Sequence, residues 1–422
     1  MIYHALRASK FRNLNEVTFT PHPRFNVLHG DNGQGKTNLL EALYLLATLR
    51  SFRTSRIEEL VGFTHEAAEL RARVEHRQVT RQLGLQLQAR PTRKQALVDG
   101  KAARTSEYFG GVNVVLFAPE DLRLPKGPPV GRRRFLDRAI WNTYPAYLDE
   151  VRVYERVLRS RNALLRSAQK GGSRDAANEL SEVKDPELGG ETPAAAMLSS
   201  EELLDIYDQK LAQTGAVLMS RRRHYVSELG PQVSATFAEV SRSGLEVAIR
   251  YVPGVSSARQ PTVLAAESSL PELAALLREQ LLRDRRRDAL RGYTHSGPHA
   301  DDLGLDLEGR AADVHASQGQ IRALVLSLKI AEIQHLYRVL HDPPVLLLDD
   351  VSSELDPQRN AYLFEFLRTM PCQVFITTTS PVHVKLTEDR ADFLIADGAL
   401  IENEPGPDSF FLAATDNFAA AK

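Results

Sequence analysis

Eight residues, Gly30 to Thr37, read GDNGQGKT and match the phosphate-binding pattern G-x-x-x-x-G-K-[ST] without a mismatch. Such a loop constrains the fold as well as the ligand. Its backbone N–H groups meet a phosphate only where a buried strand leads in and a helix leads out. Both flanks are legible here. The apolar run Phe25 to Leu28 predicts a short buried strand. Asn38 to Leu49, carrying Leu39, Leu40, Ala42, Leu43, Leu46 and Ala47, predicts a buried helix. Gly30, Gly33 and Gly35 let the loop backbone turn toward phosphate oxygens with no Cβ in the way. Lys36 is expected to reach the β- and γ-phosphates and to act in catalysis, and Thr37 to place its hydroxyl on Mg²⁺. Asp31, Asn32, Gln34 and Asn38 complete the stretch expected to contact the nucleotide.

Far downstream, Pro344 to Asp350 reads PVLLLDD, a buried strand ending in two carboxylates. In a P-loop fold the first, Asp349, belongs to the Mg²⁺ shell, and the next, Asp350, to the attacking water as general base. The two motifs are 349 − 36 = 313 residues apart. Compact P-loop enzymes keep them much closer, so the head is expected to be split by an inserted domain. At 422 residues the chain also exceeds one hydrophobic core. The expected division is a first head half at 1–130, an inserted helical domain at 131–290 and a second head half at 291–422.

Within the insertion, Tyr147, Val151, Tyr154, Leu158 and Leu165 follow helical spacing, and so do Leu204, Tyr207, Leu211, Leu218 and Tyr225. They predict a short antiparallel helical arm, with Gly171 to Ala195 as its linker. Bulk charge is no guide to nucleic acid, because 53 basic residues face 54 acidic ones. Only local clusters remain: Arg132 to Arg134, Arg221 to Arg223, Arg283 with Arg285 to Arg287, and Arg50 with Arg53 beside the nucleotide loop. The single cysteine, Cys372, excludes a cysteine metal cluster. No run reaches the about 18 apolar residues of a membrane span, and a cytoplasmic protein with no membrane partner is expected.

The remaining motifs carry a resemblance. Ala316 to Gln320 reads ASQGQ ahead of a helical pattern and resembles the signature of ABC-type ATPases. Ser353 to Asp356, SELD, resembles the D-loop, and Thr377 to Thr379 stand where that class has its γ-phosphate switch, with Thr379 as the expected residue. The resemblance places Ser317, Gln318, Gly319, Gln320 and Asp356 at the nucleotide. With FAPEDLRLPKGPPVGRRRFLD at Phe117 to Asp137 and SGPHADDL at Ser296 to Leu303, nearly the whole chain resembles the RecF family of bacterial recombination mediators, relatives of SMC and Rad50 heads. That implies an α/β fold: an ABC-type P-loop head of mixed sheet and helices, plus an inserted helical domain. It implies a slow, Mg²⁺-dependent ATPase that binds DNA, closes as an ATP-dependent homodimer, and works with RecO and RecR to load RecA. The chain departs from the pattern at Ala300, where a basic residue is usual, and at Asp350, where ABC transporters use Glu. No Q-loop glutamine is evident; Glu120 and Asp121 compete for that corner with an ordinary helix start. The alternatives are an ABC-type ATPase subunit acting on another partner, a short-armed SMC-like structural protein, and a nuclease built on His299, Asp301 and Asp302.

Overall fold

The computed structural model describes residues 1–108, 112–169, 199–255 and 268–401; the expected linker at 171–195 lies outside them. Its strands are β1 (Ile2–Phe11), β2 (Leu14–Phe19), β3 (Phe25–His29), β4 (Ala67–His76), β5 (Val79–Gln88), β6 (Arg93–Val98), β7 (Lys101–Ala102) and β8 (Val114–Phe117). Further on come β9 (Val247–Val252), β10 (Asp302–Leu307), β11 (Arg310–Ala311), β12 (Val345–Asp349), β13 (Val374–Thr378), β14 (Arg390–Ala396) and β15 (Ala399–Ile401). The longer helices are α1 (Lys36–Thr48), α2 (Pro129–Thr143), α3 (Tyr147–Gln169), α4 (Ser200–Ser241), α5 (Leu270–Arg291), α6 (Gln318–Leu340) and α7 (Pro357–Thr369).

Two compact units result. Among the described residues, the first takes those of Met1–Arg123, Glu239–Arg242 and Gln318 to Ile401, and the second those of Leu124–Ala238 and Ser243–Ser317. The first unit holds two six-stranded sheets, ordered β2-β1-β4-β5-β6-β7 and β15-β14-β3-β13-β12-β8. The former is antiparallel throughout; in the latter, β14, β3, β13, β12 and β8 run parallel and only the edge strand β15 is antiparallel. Helix α1 packs against strands of both sheets. That explains its composition: Leu39, Leu40, Ala42, Leu43, Leu45 and Leu46 are all buried, so it shows no polar face. For the same reason β12 and β13 are buried at every position, as parallel strands covered on both sides must be.

The second unit is helical around a small sheet ordered β11-β10-β9. Contacts between α3 and α4 run in opposite senses. Tyr147 meets Arg222, Glu150 meets Arg221, and Arg161 meets Asp208, so the two helices are antiparallel. The pair expected from sequence is joined by a third helix, α5, for an electrostatic reason. Arg161 has no solvent exposure, and its guanidinium donates to Asp208 at 2.6 Å, and to Asp288 and Thr294 Oγ1 each at 2.8 Å. A buried charge of that kind stays only where carboxylates converge on it.

In the same unit His299 donates from Nε2 to the Thr294 carbonyl at 3.0 Å and accepts at Nδ1 from the Tyr154 hydroxyl at 2.6 Å. Burial of the ring pulls its pKa from 6.5 down to about 4. The unfolded chain therefore binds a proton that the folded chain refuses. This stabilisation is complete above the unfolded pKa and is lost between about pH 6.5 and 4, by about 1.4 kcal/mol per pH unit. The difference in unfolding free energy between wild type and His299→Asn should shrink with that slope as pH falls across the range, whatever slope the carboxylates give both proteins.

Candidate active site

Three parallel strands deliver the site. β3 runs into the glycine loop, β13 pairs with it through Thr378 opposite His29, and β12 pairs with β13 through Asp349 opposite Thr377. The loop closes tightly on its neighbours. Gly30 sits at φ +139, and a Cβ there would lie 2.3 Å from the Ile395 carbonyl oxygen; Gly35 sits at φ +115 and opens α1. Only glycine adopts these angles without strain. Lys36 folds back so that Nζ donates to the carbonyls of Gly30 and Asp31, each at 2.7 Å. Burial lowers its pKa, against the opposing pull of Asp350, Asp31 and Asp349.

Thr37 Oγ1 donates to Asp349 Oδ1 at 2.8 Å, and Thr377 Oγ1 donates to the same oxygen at 2.7 Å. Burial pushes the Asp349 carboxyl up; the two threonine hydroxyls pull it back, and Glu120 and Asp350 raise it further. A carboxylate beside a threonine hydroxyl is an all-oxygen donor set, which suits Mg²⁺. Among the described residues no three His, Cys, Asp or Glu side chains gather into a metal cage. A single protein carboxylate fits an ion whose other ligands are phosphate oxygens and water.

Asp350 follows in the left-handed region, at φ 49, which Asp and Asn tolerate better than other side-chain residues. Its N–H donates to Thr377 Oγ1 at 2.8 Å, and its side chain makes no capping bond. Thr377 thus binds both acidic residues of the strand end. Thr379, the residue expected as the switch, is exposed in the bend just beyond β13. Asp356 caps α7, accepting from the N–H groups of Gln358 at 3.1 Å and Arg359 at 3.0 Å. Its burial is outweighed by these bonds and by Arg359, so its carboxyl titrates below the ordinary range. Ser317 and Gln318 are exposed at the start of α6, followed by half-buried Gly319 and Gln320. Of the two Q-loop candidates, Asp121 is a helix-start residue, accepting from the Ala118 N–H at 3.0 Å and pairing with buried Lys329 at 3.3 Å. Glu120 remains solvent-exposed and close enough to raise Asp349.

Sequence reasoning missed the residues that hold the loop from outside. Asn13, in the β1–β2 turn, accepts from Asn38 Nδ2 at 2.7 Å and donates to the Gly33 carbonyl at 3.4 Å. Gly398, in the β14–β15 turn, donates to the Gln34 carbonyl at 3.0 Å. Fully buried Glu41 pairs with both Arg12 and Arg53, and Arg53 also donates to Asn38 Oδ1 at 2.7 Å. Arg53 is therefore wired to the residue after Thr37, while Arg50 is exposed.

The other arginine clusters are largely committed internally. Arg132 forks onto Asp302 at 2.7 and 2.8 Å; Arg222 is buried between Asp137 and Asp301; Arg285 pairs with Asp205 and Asp208; and Arg287 pairs with Asp284. Arg134 and Arg286 remain exposed. These same bonds remove the nuclease alternative. Asp301 and Asp302 each face an arginine, and His299 is engaged by Tyr154.

A phosphate loop between strand and helix, a carboxylate strand two places across the sheet, and a signature-like segment opening α6 define an ABC-type P-loop ATPase head. The sequence model of the RecF/RecN/SMC N-terminal domain matches residues 2–396, and the chain belongs to the RecF family. It is 44% identical to the DNA replication and repair protein RecF of Myxococcus xanthus, over 89% of this chain and 90% of that one. It is 43% identical to the protein of the same name from Anaeromyxobacter sp. strain Fw109-5, over 96% and 95%. The fold is similar to a solved structure of the recombination mediator protein RecF-ATP in the RecFOR pathway, with TM-score 0.80 and 29% identity over 95% of this chain and 97% of that one. Among the described residues no helix is long and apolar enough to cross a membrane.

Proposed function

We propose that the chain is an ATP-gated DNA-binding clamp of recombinational repair. The observation that carries this reading is the meeting of Lys36, Thr37, Asp349 and Thr377 at adjacent strand ends. The names of the relatives, in DNA replication and repair and in the RecFOR pathway, support the biological setting. Loop N–H groups from Gly30 to Thr37 cradle the ATP phosphates, and Lys36 swings from its carbonyl partners to the β- and γ-phosphates. Thr37 and Asp349 hold Mg²⁺, which when bound draws charge from the phosphate oxygens. Asp350 takes the proton of the attacking water, and Thr379 reads the γ-phosphate. Ser317 and Gly319 of one chain, with Gln318 and Gln320 beside them, close on the γ-phosphate at Lys36 of a second chain. Hydrolysis removes those contacts, the dimer loosens and DNA is released. With RecO and RecR, in the cytoplasm, the cycle loads RecA at gapped DNA.

Light scattering in ADP, in ATP, and in ATP with gapped duplex tests this reading. A dimer should form only with ATP, persist on DNA and be lost in Lys36→Met. A monomer under every condition, with no DNA bound, would refute it.

A further inference from the structure

Strand β13 lies between the strands of the two nucleotide motifs, paired with β3 on one side and β12 on the other. It begins as buried parallel strands do, with Val374, Phe375 and Ile376, and then places two hydroxyls in the interior, at Thr377 and Thr378. The two are used differently. Thr378 Oγ1 donates to the Ser380 carbonyl at 3.1 Å and accepts from the Ser380 N–H at 3.3 Å, closing the turn just past its own strand. Thr377 reaches across to the next strand. Its Oγ1 donates to Asp349 Oδ1 at 2.7 Å and accepts from the Asp350 N–H at 2.8 Å. At 1% exposure, a hydroxyl is costly unless it is bonded, and valine would fill the same space without that cost. Both bonds of this hydroxyl go to the acidic pair.

Each bond fixes a different part of the strand end. The first sets how the Asp349 carboxylate is turned: Thr37 and Thr377 both donate to Oδ1, and neither donates to Oδ2. Once Thr37 turns to Mg²⁺, as proposed above, Thr377 still holds Oδ1. The second bond holds the backbone where the chain leaves β12 at φ 49, and so sets the root of the Asp350 side chain. We propose that Thr377 is a positioning residue for ATP hydrolysis, one hydroxyl keeping Asp349 set for the metal and Asp350 set for the attacking water. The inference rests on the ATPase reading above, which gives those two carboxylates their roles. A hydrogen-bond partner one shell out from a metal-binding carboxylate is worth about 10–100-fold in metal affinity or activity.

The test compares Thr377→Val, which removes the hydroxyl and keeps the shape, with Thr377→Ser, which keeps the hydroxyl and loses a methyl group. ATP affinity is measured in EDTA and across a Mg²⁺ titration, single-turnover hydrolysis at saturating Mg²⁺ and ATP, and the urea midpoint on the same full-length proteins. Thr377→Val should bind ATP in EDTA as the wild type does, because the glycine loop is untouched. It should need about tenfold or more Mg²⁺ to reach the metal-dependent affinity, and should hydrolyse about tenfold or more slowly at saturation. Thr377→Ser should restore both. A role in packing alone predicts the opposite order, with Thr377→Val like the wild type and Thr377→Ser impaired, and that result would overturn the proposal. Where Thr377→Val lacks a cooperative urea transition, Thr377→Cys takes its place, since a thiol is only a weak donor. A wild type that neither gains ATP affinity with Mg²⁺ nor hydrolyses ATP would sink the ATPase reading itself. A wild type that does both, matched by Thr377→Val, would sink only the role of Thr377.

Discussion

Asp350→Asn should bind ATP and dimerise as the wild type does while hydrolysing it more slowly by about two to four orders of magnitude, the share a positioned general base contributes. Few substitutions at a position proposed as the general base disturb so little else. Asn tolerates the left-handed backbone at φ 49 as Asp does. The N–H bond to Thr377 is a backbone bond and survives, and the side chain caps nothing that the change would release. What disappears is the carboxylate able to take a proton from water. On the proposed cycle, in which hydrolysis is the exit from the ATP-bound dimer, the variant dimer should therefore outlive the wild-type dimer by the same factor. Single-turnover hydrolysis with light scattering in parallel measures both. Lys36→Met, in contrast, should lose binding and dimer together. Normal turnover by Asp350→Asn would move the base elsewhere, and Glu120, the exposed carboxylate that raises Asp349, would be next to test.

The parts of this site carried by local chemistry were legible in the sequence: the glycine loop with its flanking strand and helix, and the strand ending in Asp349 and Asp350. Each is a short run whose meaning depends on its immediate neighbours. Thr377 was visible as one of three threonines, but its importance depends on β12 lying beside β13, an adjacency that no run of residues encodes. Asn13 and Gly398 come from opposite ends of the chain and meet at the loop only after two sheets have formed. Charge misled in a systematic way. Arg222 stands in a cluster that the sequence offers to nucleic acid, because sequence gives the charge but not the carboxylates from Asp137 and Asp301 that take it out of water.

That misreading sets the other large effect. Arg222→Met should destabilise the second unit by about 3–5 kcal/mol, the cost of breaking a buried ion pair by removing one partner. Arg222 is almost wholly buried; Nη1 donates to Asp301 at 2.7 Å and to the Pro298 carbonyl at 2.6 Å, and Nη2 donates to Asp137 at 2.8 Å. Burial alone would lower its pKa, but Asp137, Tyr147, Asp301 and Tyr251 hold the guanidinium well above its ordinary value. Methionine fills similar space, so the loss is electrostatic and not a cavity. It strands Asp301, which has no solvent exposure and among the described residues keeps the Tyr251 hydroxyl and the Gly254 N–H as donors, each at 2.7 Å. A stranded carboxylate resists ionisation, so its folded pKa lies above its unfolded one, and the penalty is present at neutral pH and fades as pH falls through the folded value. The gap in urea midpoint between wild type and Arg222→Met should therefore narrow from about pH 7.5 to about pH 5, and adding Asp301→Asn should recover part of it at the higher pH. A gap that ignores pH and is not relieved by Asp301→Asn would mean that Arg222 works through packing, with no role for the charge it carries.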